Sequence, residues 1–334
     1  MMTDPHQYIE RTSGRVRDER LKADRLVHLI YSNVREKSGW LLRALTSKVA
    51  TDIVAWAQYD HPLTMNAVAI RRAIADLGID LSEILEPSAI RSLRDLFERK
   101  IAYWRTRPMI ESRNAVVSPC DARMIPDTLE PDTRLFIKQK FFDLTELLGC
   151  DRPQWIDAFQ GGPFAVFRLT PDKYHYNHVP VTGNVVDFYG IRGRYHSCNP
   201  VAAVELATVV SKNKRVVTVI DSDVPGGTGA GLVAMVEIAA LMIGDIEPAY
   251  SDSAYDDPRT PRLGEVLLKG QPKSLFRPGS STVVLLFQKD RFAFSPDLLA
   301  NVARCDVKSR FSRGFGRTLV ETDLRVREDI GTAL

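Results

Sequence analysis

The chain has 334 residues, 44% of them hydrophobic, which is ample for a large core built as one big domain or as a domain with an accessory helical region. Its 45 basic and 42 acidic side chains leave a net charge of +3, so electrostatics give no case for nucleic acid as the main partner. Cys120, Cys150, Cys198 and Cys305 lie 30 or more residues apart without Cys-x-x-Cys or metal-ligand spacing, which predicts no metal and buried free thiols in a reducing cytoplasm.

Met1 to Arg20 is polar and charged, without the apolar stretch of a signal peptide, and no later run reaches the 18 or so apolar residues of a membrane span. A cytoplasmic protein whose membrane contact is at most peripheral is the expectation. From Leu21 to Tyr59, Leu26, Leu29, Ile30, Val34, Leu41, Leu42, Leu45 and Val49 recur at helical spacing among Arg25, Arg35, Lys37, Arg43 and Lys48. Such helices present a basic face that is either solvated or docked on anionic lipid. Pro87 and Ser88 stand near the start of a further amphipathic helix running through Ala89 to Lys100. Residues 1–108 are therefore expected to form a helical N-terminal region.

Beyond residue 108 the texture changes to short β-branched runs broken by Gly, Pro and Asp. Arg215–Ile220, Gly231–Val236 and Thr282–Phe287 read as strands, mostly antiparallel, which gives an α+β fold with a β-rich core over residues 109–334. Gly226-Gly-Thr-Gly-Ala-Gly231 lies between two of these strands and lacks a following Lys-Ser/Thr, so it reads as a turn and not as a nucleotide loop. Three segments carry residue types suited to chemistry. Val117-Ser-Pro-Cys-Asp121-Ala122-Arg123 offers an acid, Pro171-Asp-Lys-Tyr174-His175-Tyr176-Asn-His178-Val-Pro-Val-Thr-Gly183 concentrates two of the six histidines, and Phe276-Arg-Pro-Gly279-Ser280-Ser281-Thr282 puts two serines at the start of an apolar strand. A serine hydroxyl is a weak nucleophile until a base removes its proton, and the base works best when a carboxylate orients it. His196, in Arg194-Tyr-His-Ser-Cys-Asn-Pro200, either lines a pocket or bonds within its own turn, while Tyr174 and Phe276 read as packing residues.

At these places together the sequence resembles the phosphatidylserine decarboxylase family of pyruvoyl-dependent enzymes. That family shows Ser-Pro-x-Asp-Gly, then Asp-Tyr-His-Arg-x-His-x-Pro, then Gly-Ser-Thr before Val-Val-x-Leu-Phe, in the order seen here. Ile137–Gly149 and Ile243-Gly-Asp-Ile246 resemble two further family segments, so the likeness covers roughly residues 110 to 290.

The resemblance implies a proenzyme that cuts its own backbone. A serine attacks the preceding carbonyl, the ester eliminates, and the new amino-terminal residue hydrolyses to a covalent pyruvoyl group, so no external cofactor is needed. Asp121, His178 and Ser281 match the acid, base and nucleophile, and His175 matches the histidine of the decarboxylation step. Register with the strand makes Ser281 the pyruvoyl precursor, cleaved from Ser280; a requirement for glycine before the scissile bond would make it Ser280 instead. The implied reaction converts phosphatidylserine to phosphatidylethanolamine and carbon dioxide through a substrate Schiff base. A decarboxylase of a free amino acid and an uncleaved, non-catalytic binding protein are the alternatives, and homo-oligomerisation stays open. Ala122, Tyr176 and Ser280 depart from the family's glycine, arginine and glycine. Ala122 is unstrained only at negative φ, and tyrosine at 176 exchanges a five-donor cation for one hydroxyl and a ring.

Overall fold

The computed structural model describes residues 5–19, 67–129, 142–193, 200, 209–239, 245–278 and 281–334. Sixteen strands are arranged in three sheets among these residues. In chain order they are β1 (Gln7–Glu10), β2 (Arg15–Asp18), β3 (Ala115–Val117), β4 (Ala122–Thr128), β5 (Pro163–Leu169), β6 (Tyr176–His178), β7 (Gly183–Ile191) and β8 (Arg215–Asp221). They continue as β9 (Leu232–Ala239), β10 (Ile246–Pro248), β11 (Val266–Leu267), β12 (Pro272–Phe276), β13 (Ser281–Phe287), β14 (Phe292–Phe294), β15 (Glu321–Leu324) and β16 (Asp329–Ala333).

The main sheet runs β11-β7-β8-β9-β13-β5-β4-β15-β1-β2 and is antiparallel except where β1 lies parallel to β15. Its central strands are apolar on both sides because both sides are covered. Val283, Leu285 and Phe287 of β13, with Val233 and Met235 of β9, pack toward the side that also holds Val179, Val181, Phe276 and Phe292. Val284 and Leu286, with Ala234, Val236 and Ile238, pack against Leu147, Leu148, Phe159, Phe311 and Phe315. The first side is therefore covered by the two small sheets, β10-β12-β6 and β14-β16-β3, and the second by short helices at Leu144–Leu148, Pro153–Phe159 and Arg310–Phe315. Strand alternation puts Ser281 on the side of Val283, under the small sheets.

The expected α+β architecture is present, and the three strands read from the sequence are β8, β9 and β13. The N-terminal region departs from the helical expectation in two places. Residues 7–18 are a hairpin that extends the main sheet; Arg15-Val-Arg-Asp is a short, charged edge strand, which blunts further pairing. The helix expected over Ala89–Lys100 is broken into a 3-10 turn at Pro87–Ala89 and a helix at Leu93–Phe97. Ser92, not Ser88, caps that helix: its hydroxyl accepts from Asp95 N at 3.0 Å, while the Asp95 carboxylate accepts from Arg91 N at 2.9 Å, a reciprocal cap that starts the helix afresh. The amphipathic segment 21–59, with its three arginines at 25, 35 and 43, lies outside the described residues. Gly226–Gly231 is a turn between β8 and β9, as expected. Of the thiols, Cys120 is buried, whereas Cys150 and Cys305 are exposed.

Candidate active site

The three chemistry-bearing segments converge beside β6. This strand is held to β12 with Pro272 opposite His178 and Leu275 opposite Tyr176, and His178 N donates to the Pro119 carbonyl at 2.6 Å. The turn carrying Asp121 thus meets the histidine segment directly. Asn177 faces the main sheet, where its Nδ2 donates to Ser274 Oγ at 2.9 Å, alongside a fully buried Lys273–Glu237 pair at 2.5 Å. Alternation sends Tyr176 and His178 the other way, into a cluster of Tyr103, Tyr174 and Tyr255.

His178 is fully buried and both ring nitrogens are engaged. Nδ1 lies 2.8 Å from the Gly270 carbonyl and therefore carries the proton, while Nε2 lies 3.0 Å from the Tyr174 hydroxyl. The Tyr103 ring meets it edge to face at 4.7 Å. Burial pushes its basicity down to about 3, helped by Arg327 and Arg107 and opposed by the Gly270 carbonyl and the Asp121 charge. The imidazole is neutral at physiological pH, with its lone pair on Nε2. Gly270 has φ +78, and a Cβ there would stand 2.5 Å from Met109 Sδ, so only glycine presents this carbonyl to the ring.

Asp121 lies within electrostatic reach of His178 but does not bond to it. Oδ1 accepts from Arg107 Nε at 3.1 Å and from Val326 N at 2.8 Å, and Oδ2 accepts from Arg107 Nη2 at 2.8 Å. Burial pushes this carboxyl upward, but the Arg107 guanidinium outweighs it and holds the group below the usual carboxylate range. Arg107 also forks onto Glu83 at 2.8 and 2.9 Å, which ties the N-terminal region to the site.

His175 is buried with both ring nitrogens unpartnered. Its ring stacks on Phe97 at 3.5 Å and 25°, and its carbonyl accepts from Phe276 N at 3.1 Å, at the end of β12 from which residues 277–280 lead to Ser281. Burial and then the nearby Arg99 push its basicity down to about 3. Arg99 itself is anchored through Nη1 to Leu96 O at 3.0 Å and Nη2 to Asp172 O at 2.7 Å.

Ser281 opens β13 opposite Leu169 and Ala239, fully buried, and its Oγ has no hydrogen-bond partner. A buried hydroxyl without a partner costs about 1–3 kcal/mol, an expense with no structural return. The segments carrying Asp121, His178 and Ser281 lie on one side of the main sheet without hydrogen bonds linking the three, and the His178 ring points away from that sheet, into the tyrosine cluster. Gly279, Ser280 and His196 lie outside the described residues.

Ala122 begins β4 at negative φ, so its side chain is accommodated without strain. Tyr176 fills the arginine position by stacking on Tyr174 at 5.5 Å and meeting Tyr255 edge to face at 5.0 Å. The neighbouring cation is Arg277, bonded to Glu98 at 2.7 Å and paired with Glu247. Lys173 stands where the family motif has aspartate and reaches Asp323 at 2.5 Å, a departure the sequence reading passed over. That reading also missed Arg107, Gly270, Phe97, Arg99 and Tyr255, and it assigned Tyr174 to packing alone. The sequence signal for Tyr174 was its match to the tyrosine that precedes the first histidine of the family motif.

The family model described as phosphatidylserine decarboxylase matches residues 93–311. The chain is similar to a phosphatidylserine decarboxylase proenzyme of Chlamydia trachomatis, with 30% identity over 315 residues, 93% of this chain and 96% of that protein. It is also similar to the proenzyme of Saccharophagus degradans, with 27% identity over 78% of this chain and 91% of the relative. With phosphatidylserine decarboxylase proenzyme 2 of Oryza sativa it shares 33% identity over 68% of this chain, but spans only 34% of that longer protein.

Proposed function

Because the chain belongs to the phosphatidylserine decarboxylase family, we propose that it is a self-processing carboxy-lyase that converts phosphatidylserine to phosphatidylethanolamine and carbon dioxide. The observation that carries the reading to particular residues is the buried, unpartnered Ser281 hydroxyl at the first position of a central strand. Ser281 attacks the carbonyl of Ser280 and becomes the pyruvoyl-bearing amino terminus of a small chain. When formed, that group supplies an electron sink for the departing carboxylate.

In this reading the chain's own residues divide the remaining work. His178, neutral and with Nδ1 fixed by Gly270, is the base for the serine proton. Asp121 acts on it through its charge, and Arg107 fixes that charge in place. His175 offers one ring N–H and one lone pair, neither used inside the protein, to the substrate. An anionic substrate carboxylate beside it favours the protonated ring and so counters the burial that suppresses its basicity. The proton it then holds is the one delivered to the α-carbon. His196 remains the candidate pocket residue.

A diacyl substrate requires approach to a bilayer. No helix among the described residues is long and apolar enough to cross a membrane. The proposed contact is peripheral, from the cytoplasmic side, through the basic segment 21–59, and salt-sensitive co-sedimentation with anionic vesicles tests it. The activity is tested by carbon dioxide release from phosphatidylserine vesicles against a panel of free amino acids. Release from the vesicles alone is expected; release from a free amino acid alone replaces the lipid reading with the soluble-substrate one.

A further inference from the structure

Asp121 is committed to Arg107 and Val326, so the question of what compensates a proton on the buried His178 has to be answered by other groups. The hydroxyls beyond Nε2 answer it. Tyr174 Oη lies 3.0 Å from His178 Nε2 and 2.6 Å from Tyr255 Oη, and Tyr255 Oη lies 2.9 Å from the Ile101 carbonyl. Ile101 N also donates to Tyr255 Oη at 3.2 Å, and the Ile101 carbonyl independently accepts from Tyr103 N at 2.8 Å. Tyr174 and Tyr255 are buried, and both hydroxyls are pushed upward by burial, so they stay protonated.

Each phenol has one proton, and the chain has two complete ways of placing them. With His178 neutral, Tyr255 donates to Tyr174 and Tyr174 donates to Nε2; Tyr255 still accepts from Ile101 N, and the Ile101 carbonyl is still satisfied by Tyr103 N. With a proton on Nε2, His178 donates to Tyr174, Tyr174 to Tyr255, and Tyr255 to the Ile101 carbonyl. No buried donor or acceptor is orphaned in either arrangement, and the switch requires only two hydroxyl rotations.

We propose that Tyr174 and Tyr255 form a reversible hydroxyl chain that holds His178 in its Nδ1-protonated form and accepts a hydrogen bond from Nε2–H once the histidine has acted as a base. The proposal rests on the reading of His178 as the base of self-cleavage. In that step the Ser281 O–H bond breaks and an Nε2–H bond forms. The Tyr174 hydroxyl turns away from the lone pair as this happens, and no phenol gains or loses a proton. The other charges facing the ring do not make the chain redundant. Arg327, stacked on Tyr103 at 5.0 Å, and Arg107 both oppose a cation there, and Asp121 favours it only at a distance. Tyr174 and Tyr255 are therefore positioning residues, and the chain's far end lies at Ile101, in the N-terminal region.

The test follows the cleavage time course of freshly refolded full-length proenzyme between pH 5 and 9 for Tyr174→Phe, Tyr255→Phe and His178→Ala, with near-ultraviolet circular dichroism as the check on folding. Tyr174→Phe removes the group that bonds Nε2 in both states and is expected to slow cleavage about tenfold to a hundredfold, the worth of one hydrogen bond to a charged group. Tyr255→Phe keeps that contact but leaves the Tyr174 proton without an acceptor in the charged state, so a smaller slowing is expected. A second readout is the tautomer and titration of His178 by 15N NMR in the uncleavable Ser281→Ala protein. The Nδ1-protonated form is expected, with basicity lower still once Tyr174→Phe is added. Unchanged cleavage and titration in both phenylalanine variants, with His178→Ala inert, would overturn the hydroxyl chain while leaving the base intact. Cleavage of His178→Ala at the wild-type rate would remove the base reading instead.

Discussion

Two buried polar regions lie on either side of β5 and β4, and they are built on opposite rules. At the outer edge of the main sheet, Arg168 bonds both Glu321 (2.8 Å from Nε to Oε1) and Glu19 (3.0 Å), His6 Nε2 lies 2.7 Å from Glu321, and Arg123 pairs with Glu19. His6, Glu19 and Glu321 could by distance hold a cation, since their ligand atoms lie within 4.8 Å of one another, but two guanidiniums already claim the carboxylates. Beside β6 and β13, by contrast, His175 and Ser281 are equally buried and carry neither a hydrogen bond nor an ion pair, whereas the atoms of the first region that lack a hydrogen bond, Arg123 Nε and Nη1, belong to a guanidinium paired with Glu19. Burying a polar atom is tolerable when it is paired and costly when it is not. The charges of the first region close the N-terminal hairpin onto the sheet; the second leaves His175 and Ser281 unbonded, as the proposed reaction requires.

The sharpest way to break the comparison is to unpair the first region. Glu321→Gln leaves Arg168 buried with one partner fewer and is expected to cost about 3–5 kcal/mol, read as a lowered denaturation midpoint. His175→Ala removes a ring that bonds to nothing, so the loss is confined to its packing on Phe97. A larger stability loss at His175 than at Glu321 would contradict the distinction. Gly270→Ala comes next: its positive φ and the approach of Met109 are expected to cost about 1–3 kcal/mol and to disturb the carbonyl that fixes His178, which slowed self-cleavage would register.

Acid titration separates the regions by window. His175 and His178 are pushed down to about 3 in the folded chain, against about 6.5 when unfolded. Between those values the unfolded chain binds protons that the folded chain refuses, so stability falls as pH drops from about 6.5 toward 3, by up to about 1.4 kcal/mol per pH unit for each histidine. Glu19 and Glu321 are held below the usual carboxylate range, Arg168 outweighing the burial that pushes them up, so their contribution is complete above about pH 4.3 and is lost only below it. Denaturation midpoints across pH 4 to 7 should therefore flatten in a His175→Ala variant above pH 5 and not in Glu321→Gln. The smallest effect concerns the support behind His175. Ser92→Ala removes the cap of the helix carrying Phe97 and is expected to cost about 1 kcal/mol.

The core strands were legible because their β-branched runs are long and bounded by turn residues, and the family motifs placed Asp121, His175, His178 and Ser281 in sequence order. The partners of those residues were not legible. Arg107 reaches Asp121 from a neighbouring segment, Tyr255 reaches Tyr174 across 81 positions, and Gly270 meets His178 across 92. None of these pairings leaves a periodic trace. The β1–β2 hairpin escaped for a different reason: four-residue strands carrying charge at the sheet edge look like surface coil until the parallel partner β15, more than 300 residues later, is known.

The central claim is that the free hydroxyl of Ser281 exists to break the chain, and intact mass spectrometry of the purified protein tests it most directly. The account predicts two chains, a large one ending at Ser280 and a small one of residues 281–334 whose amino terminus is a pyruvoyl group, with Ser281→Ala yielding only the uncut polypeptide. Wild-type protein that remains a single 37.5 kDa chain under conditions in which a relative matures would contradict it.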